Sequence, residues 1–84
     1  SDLKKHEKDK IRFRTIRYLE RYCDIERKCQ ICGEWAEIHH PNYKDNLKIN
    51  LLCKKHHVAL HNFELIPPPI IDLEEISIKH NATN

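Results

Sequence analysis

The chain has 84 residues, and its 15 Lys+Arg against 13 Asp+Glu give a formal charge of only +2. Hydrophobic residues make up 39% of it and charged residues 33%, whereas an average soluble domain is about 45–50% apolar, Gly included. The chain therefore has room for one small domain, whose thin core needs a further source of stability. No apolar run approaches the roughly 18 residues of a membrane span, so we expect no membrane-spanning segment and no membrane partner.

The first predicted element is a basic amphipathic helix over residues 2–22, within an N-terminal segment that covers residues 1–27. The stretch contains no Gly or Pro, and Asp2 is its candidate N-cap. Residues suited to a buried stripe recur at helical spacing: Ile11, Phe13, Thr15, Ile16, Tyr18, Leu19 and Tyr22. Residues 1–28 hold ten Lys+Arg against six acids, which permits contact with nucleic acid, although such residues more often form a solvated face.

The middle stretch, residues 28–63, is predicted to contain a cysteine turn, two strands and a helix. Residues 35–40 and 47–52 have the composition of short strands, and residues 41–46 that of the loop between them. Residues 54–62 then favour a helix. We expect this stretch to form the centre of a single domain that covers residues 1–84.

The last stretch, residues 64–84, begins with a strap made by Pro67, Pro68 and Pro69. Consecutive prolines donate no backbone hydrogen bonds and favour an extended segment. A small apolar group follows, which we expect to dock as a helical turn or an edge strand: Ile70, Ile71, Leu73, Ile76 and Ile78. Residues 80–84 are expected to form a frayed polar tail.

Two pairs of residues predict a closed metal site. Cys29 and Cys32 are separated by two residues, and Cys53 and His56 repeat that spacing twenty residues later. The pattern is typical of tetrahedral structural zinc, because four protein ligands leave no open position. Two alternatives are weaker: ordinary buried cysteines, which are common in cores, and a disulfide framework, which would not need histidine.

Cys23 is the cysteine that this pattern leaves over. We expect it to lie on the apolar side of the first helix as a small hydrophobic residue. It would replace one of the four ligands if the register of the metal site were different.

Four further histidines suggest a second metal site: His39, His40, His57 and His61. His57 and His61 are four residues apart and share a helical face. Strand alternation sends His39 and His40 to opposite faces unless the chain bends before Pro41. Imidazoles that converge in one cleft suit Zn, Ni, Cu or Fe, and also Mg or Mn where phosphate oxygens complete the site. A single histidine is more often an ordinary core or surface residue, and this interpretation is preferred for His6 and His80.

Residues 28–63 resemble the HNH endonucleases, the ββα-metal nucleases of phages, mobile introns and colicin DNases. The resemblance rests on four local motifs: Cys29-x2-Cys32-Gly33, His39-His40 before Pro41, Leu51-Leu52-Cys53, and His57-x3-His61. It implies an α+β fold, namely a small zinc-stapled ββα-metal (His-Me finger) domain with an N-terminal basic helix and a C-terminal strap.

The resemblance also implies roles for the histidines. His40 would be the general base, and His39, His57 and His61 would bind a catalytic divalent metal, Mg2+, Mn2+, Ni2+ or Zn2+. Neutral His40, with an unperturbed pKa of about 6.5, suits the task near neutral pH, and a backbone carbonyl at its other ring nitrogen would set the tautomer. The bound ion would hold the scissile phosphate and stabilise the leaving oxygen.

The sequence departs from the family pattern at the position of the central Asn. Lys48 occupies that position, with Asn46 and Asn50 on either side. Either one of these two supports the loop that carries His40, or that support is absent.

The expected partner is DNA, in double-stranded form, cleaved by a monomer or weak dimer in the cytoplasm of a prokaryotic or phage-infected cell. Candidate DNA contacts flank the histidines: Tyr43, Lys44, Lys48, Lys54 and Lys55. Two alternatives remain open. One is a catalytically silent, zinc-stapled module that binds DNA or protein. The other is a structural zinc domain that docks into a larger assembly through its proline strap.

Overall fold

The structure, a computed structural model, describes residues 3–82. Its elements follow the order α1 (Lys5–Tyr22), β1 (Glu37–His39), β2 (Lys48–Leu52), α2 (Lys54–His61), β3 (Ile71–Asp72) and α3 (Leu73–Ala82). The described chain is therefore a small α+β domain, which confirms the predicted class at this level. Within these residues, no helix combines the length and the apolar character that crossing a membrane requires.

Helix α1 begins at Lys5 and packs along a narrower stripe than predicted. Asp2, the predicted N-cap, lies outside the described residues. Thr15 and Leu19 are buried, whereas Phe13 is 64% exposed. The prediction that Phe13 belongs to the buried stripe was wrong, because Phe13 lies two residues, about 200° of helical turn, from Thr15.

A three-stranded antiparallel sheet holds the centre of the domain, with β2 between β1 and β3. In the β1–β2 register, Glu37 faces Leu52 and His39 faces Asn50. Strand β2 is covered on both faces, so its last four residues are all buried. Strand β1 is shorter than predicted, since Trp35 forms only an isolated bridge with Lys28.

The cysteine turn, residues 29–34, lies between the two residues of that bridge. Gly33 donates its N–H to the carbonyl of Cys29 at 2.9 Å, and Cys29 donates to the carbonyl of Glu34 at 2.6 Å. Gly33 has φ of 81°, the left-handed conformation that side chains disfavour. A glycine at this position lets the turn close tightly.

The proline strap is fastened to the sheet by one buried side chain. The amide nitrogen of Asn50 donates to the carbonyls of Pro68 and Pro69, each at 3.2 Å. The strap then leads into β3, which pairs with β2 through Lys48–Asp72 and Ile49–Ile71. The predicted edge strand is therefore present, although it is only two residues long.

The tail is helical where the sequence led us to expect fraying. Helix α3 continues to Ala82, while residues 83–84 of the predicted tail lie outside the described residues. The Oδ1 atom of Asp72 accepts hydrogen bonds from the N–H groups of Glu74 and Glu75, at 3.1 and 3.2 Å. This is an N-cap followed by an acidic first turn, a signal that the sequence contained.

Candidate functional site

Cys29, Cys32, Cys53 and His56 lie close together, with their candidate ligand atoms within 4.8 Å of one another. The Sγ atoms of Cys32 and Cys53 are 3.7 Å apart, and His56 Nδ1 is 3.1 Å from Cys53 Sγ and 3.6 Å from Cys29 Sγ. Zn–S and Zn–N bonds of about 2.3 and 2.0 Å give tetrahedral edges of roughly 3.5–3.8 Å. The predicted grouping is confirmed to this extent: the four could hold a metal ion such as zinc.

The local structure favours the thiolate form of Cys29, which metal binding requires. Burial raises the pKa of this thiol, but hydrogen bonds from the backbone of Cys53, Cys32 and Ile31 outweigh that effect and lower the pKa to about 6. Cys53 is the N-cap of α2, which places His56 in the first turn of that helix. Turn and helix together therefore bring the two pairs into contact.

Cys23 stays outside this group. It is the residue after the last of α1, is buried in the core, and donates its thiol to the carbonyl of Leu73 at 3.4 Å. Burial raises the pKa of Cys23, which keeps the thiol protonated and unreactive. All four cysteines are free, so the disulfide alternative was wrong.

A second group joins His39 from the end of β1 to His57 and His61 from α2. His57 Nε2 lies 3.2 Å from His39 Nδ1 and 3.2 Å from His61 Nε2. Three nitrogens at about 2.0–2.1 Å from one tetrahedral ion would be roughly 3.3 Å apart. The spacing of these imidazoles therefore fits a metal with three protein ligands and an open position.

Glu37 contacts the second group and is a candidate site residue that the sequence analysis missed. His57 Nδ1 lies 2.9 Å from Glu37 Oε1, so the carboxylate accepts its proton and leaves Nε2 available as a metal ligand. Glu37 and His39 are two residues apart on β1 and thus share a face of the strand. This two-residue spacing from His39 was the feature of the sequence that could have identified Glu37.

The environment of His39 favours its neutral, metal-binding form. Burial lowers the pKa of His39, and the neighbouring charges of His57, His61 and His40 lower it further, to about 4. A neutral imidazole is the form that coordinates a cation.

His40, the residue after β1, does not belong to this group and is only 4% exposed. Its Nε2 atom lies 2.9 Å from Thr15 Oγ1 and 3.2 Å from the carbonyl oxygen of Asn46. Its Nδ1 atom is buried and has no hydrogen-bond partner among residues 3–82. Burial lowers the pKa of His40, the Asn46 carbonyl raises it, and the charge of Arg12 lowers it. The ring is therefore held in its neutral form.

One cleft borders both His40 and part of the second group. It encloses about 930 Å³, and His39, His40 and His61 all line it. Of the candidate DNA contacts, Tyr43 and Lys44 also line this cleft. Tyr43 stacks on His40 with ring centroids 5.0 Å apart.

The other candidate contacts lie elsewhere on the surface. Lys48 is exposed and forms an ion pair with Asp45 at 3.3 Å. Lys54 and Lys55 are exposed in the first turn of α2. These three do not belong to the lining of the cleft.

The two candidate asparagines have different positions. Asn46 contacts His40 through its backbone carbonyl at 3.2 Å. The side chain of Asn50 instead binds Gln30 and the strap. Asn50 therefore fixes the strap and makes no side-chain hydrogen bond to the loop before β2.

Comparison of the chain with models of known protein families, with curated proteins and with solved structures found no match. The function is therefore argued from the two Cys/His groups and their surroundings.

Proposed function

We propose that the protein is a metal-dependent DNA endonuclease of the HNH type, which hydrolyses phosphodiester bonds by nicking or with weak sequence specificity. One observation carries this proposal: three imidazoles converge, and two of them, those of His39 and His61, line a single cleft with a fourth histidine, His40. The first three suit a metal, and the fourth suits a general base.

The ligand set favours an anionic substrate. His39, His57 and His61 are neutral donors, so they leave the full charge of a divalent ion uncompensated. A divalent metal held there would act as a Lewis acid on a phosphodiester oxygen and its leaving group. The carboxylate of Glu37 is hydrogen-bonded to His57 Nδ1. In that position it orients the imidazole ring without being a metal ligand itself.

The hydrogen bonds of His40 suit a general base, because one ring nitrogen faces an acceptor and the other has no partner. The carbonyl of Asn46 beside Nε2 favours the tautomer in which Nε2 carries the proton. Nδ1 then has a lone pair and no competing partner within the described chain. In the proposed reaction this lone pair takes a proton from the attacking water, which becomes the nucleophile.

The charge of the surroundings also favours nucleic acid. Helix α1 holds seven Lys+Arg against three acids, and Lys44 is an exposed cation at the cleft. Cations near a cleft attract phosphates without reading sequence. Selectivity between sequences should therefore be low.

A catalytically silent binding module is the second candidate. It is favoured by the burial of His40, whose Nδ1 has almost no accessible surface, because a base must meet its water. It is also favoured by Lys48, which occupies the position of the family's central Asn. In this case the zinc group would stabilise a domain that binds DNA or protein without cleaving it.

Supercoiled plasmid distinguishes the two. The protein is incubated with plasmid in Mg2+, Mn2+ or Ni2+, or with excess EDTA, beside a His40→Ala variant. His6→Ala is the matched control, because His6 is an exposed histidine at the start of α1. We expect metal-dependent nicking by the wild type and the control, and a loss of roughly 10³-fold or more in His40→Ala, as for other general bases.

Each sample is checked for folding by circular dichroism and for its metal content. One tightly bound metal and a second, exchangeable one fit the nuclease, whereas one tightly bound metal alone fits the binding module. DNA binding without cleavage under every metal would overturn the proposed activity.

A further inference from the structure

Helix α1 reaches His40 through a buried hydroxyl group. Thr15 is 0% exposed, and its Oγ1 atom lies 2.9 Å from His40 Nε2. The same oxygen is 2.9 Å from the carbonyl of Ile11 and 3.0 Å from that of Asn46. Four polar groups therefore meet at one point between α1 and the loop before β2.

The chemistry of these groups assigns the protons. The carbonyls of Ile11 and Asn46 only accept, so the Thr15 hydroxyl donates to one of them. Its remaining lone pairs then face His40 Nε2, which is also 3.2 Å from the Asn46 carbonyl. Nε2 has acceptors on both sides and must carry the ring proton. The opposite tautomer would set a lone pair against a carbonyl and leave a buried N–H at Nδ1 without a partner, which is costly.

The same helix also supports the face of the ring. Tyr43 stacks on His40 with an angle of 28° between the rings. The hydroxyl of Tyr43 accepts a hydrogen bond from Arg12 Nη2 at 3.1 Å, and Arg12 is itself paired with Asp9 at 2.7 Å. Arg12 lies three residues before Thr15, so one turn of α1 contacts both the edge and the stacked neighbour of His40.

The arrangement supplies a side-chain hydrogen bond to His40, which residues 28–63 do not provide in the structure. Lys48 stands at the position where the resemblance places a supporting Asn. Asn50, one of the two alternatives, directs its amide to Gln30 and to the strap. Among the described residues, the side chain that hydrogen-bonds to the His40 ring comes from Thr15.

We propose that Thr15 is a positioning residue for His40: its hydroxyl, together with the Asn46 carbonyl, fixes the Nε2–H tautomer and keeps Nδ1 as the basic nitrogen. The consequence for catalysis rests on the proposed nuclease function, but the hydrogen bond itself does not. Helix α1 is then a component of the functional site as well as a basic surface.

The test compares Thr15→Val, which keeps the branched shape without the hydroxyl, with Thr15→Ser, which keeps the hydroxyl. Nitrogen-15 NMR of labelled histidine reads the tautomer of His40 in the zinc-loaded protein, and plasmid nicking reads kcat and KM separately. We expect one tautomer with the proton on Nε2 in the wild type and in Thr15→Ser. In Thr15→Val we expect a mixture of tautomers, with kcat lowered about 10–100-fold and KM changed less than about threefold, as for other lost supporting hydrogen bonds.

The wild-type spectrum is the first check, because it needs no variant to fold. A proton on Nδ1 of His40 in the wild type would overturn the proposal. So would a Thr15→Val protein that keeps the wild-type tautomer and kcat, or a Thr15→Ser protein as impaired as Thr15→Val.

The two measurements separate this proposal from the proposed function. If the wild type does not cleave DNA but Thr15→Val alters the tautomer, the positioning role is supported and the nuclease function fails. If the wild type cleaves and Thr15→Val leaves the tautomer unchanged, the nuclease stands and the role of Thr15 is overturned.

Discussion

The two Cys/His groups each include one of two neighbouring residues of α2. His56 and His57 are consecutive on α2, so their side chains project about 100° apart, one toward the cysteines and the other toward His39 and His61. The first group has four donors, three of them sulfur, which satisfies a tetrahedral ion completely. The second has three imidazoles and an open position. Donor number and donor type therefore distinguish the proposed structural site from the proposed catalytic one.

The supports of the two groups differ in the same way. Cys29 is held by backbone N–H groups and by the turn that Gly33 closes. His57 is held by a side chain, Glu37, and the group borders a cleft. We expect the first group to control folding and the second to control exchangeable metal binding, and three substitutions test this contrast.

Cys53→Ala should have the largest effect. A structural zinc site contributes on the order of 10–16 kcal/mol in small peptides, which is as large as the roughly 5–15 kcal/mol that stabilises a whole domain. We therefore expect Cys53→Ala, or complete chelation of the wild-type metal, to unfold the chain, measured by circular dichroism and metal analysis.

Cys23→Ala is the matched control for that change. Cys23 is a buried thiol outside the four-residue group, so this variant should keep its metal and its fold. A folded Cys53→Ala protein with an unchanged melting temperature would contradict the structural role of the four-residue group.

Glu37→Ala should have an intermediate effect, confined to the second group. Loss of a carboxylate that orients a ligand histidine lowers metal affinity about 10–100-fold. We expect this loss for the exchangeable metal, measured by calorimetric titration of Co2+ or Ni2+ into zinc-loaded protein, with the tight zinc unaffected. Glu64→Ala, which removes an exposed acid after α2, should bind like the wild type. Equal affinities of the two variants would show that Glu37 does not support His57.

Gly33→Ala should have the smallest effect. A methyl group at Gly33 meets nothing within 4 Å, so the cost is that of a left-handed backbone alone, about 1–2 kcal/mol. We expect a lower melting temperature with the same metal content. A loss of zinc would mean that the geometry of this turn matters more than its backbone strain indicates.

Much of the fold was predictable because it depends on local patterns. The helix periodicity of α1 and the spacing of the two Cys/His pairs are read within short windows, and the structure agrees with both. Helix α3 was foreseen only as a helical turn or an edge strand, although Asp72 and the acids after it form a standard N-terminal signal for a longer helix. The exposure of Phe13 was missed because sequence periodicity does not give the width of the face that neighbouring elements cover.

The candidate site was less predictable, because its supports come from distant regions of the chain. Thr15 contacts His40 across 25 residues, and nothing in a helical stripe marks a threonine as a partner for a strand-end histidine. Glu37 contacts His57 across 20 residues, although its spacing from His39 gave a partial signal. Asn50, one of two candidates for supporting the loop that carries His40, instead fastens the strap.

The sequence by itself determined which residues can bind a metal, since ligand chemistry and the spacings Cys-x2-Cys, Cys-x2-His and His-x3-His are local properties. Tertiary structure decided which ring nitrogens of His39, His40 and His57 have hydrogen-bond partners and which side chains supply them. That choice depends on the packing of α1 and β1 against residues far away in the chain, because a hydrogen bond forms only when the fold brings donor and acceptor within about 3 Å.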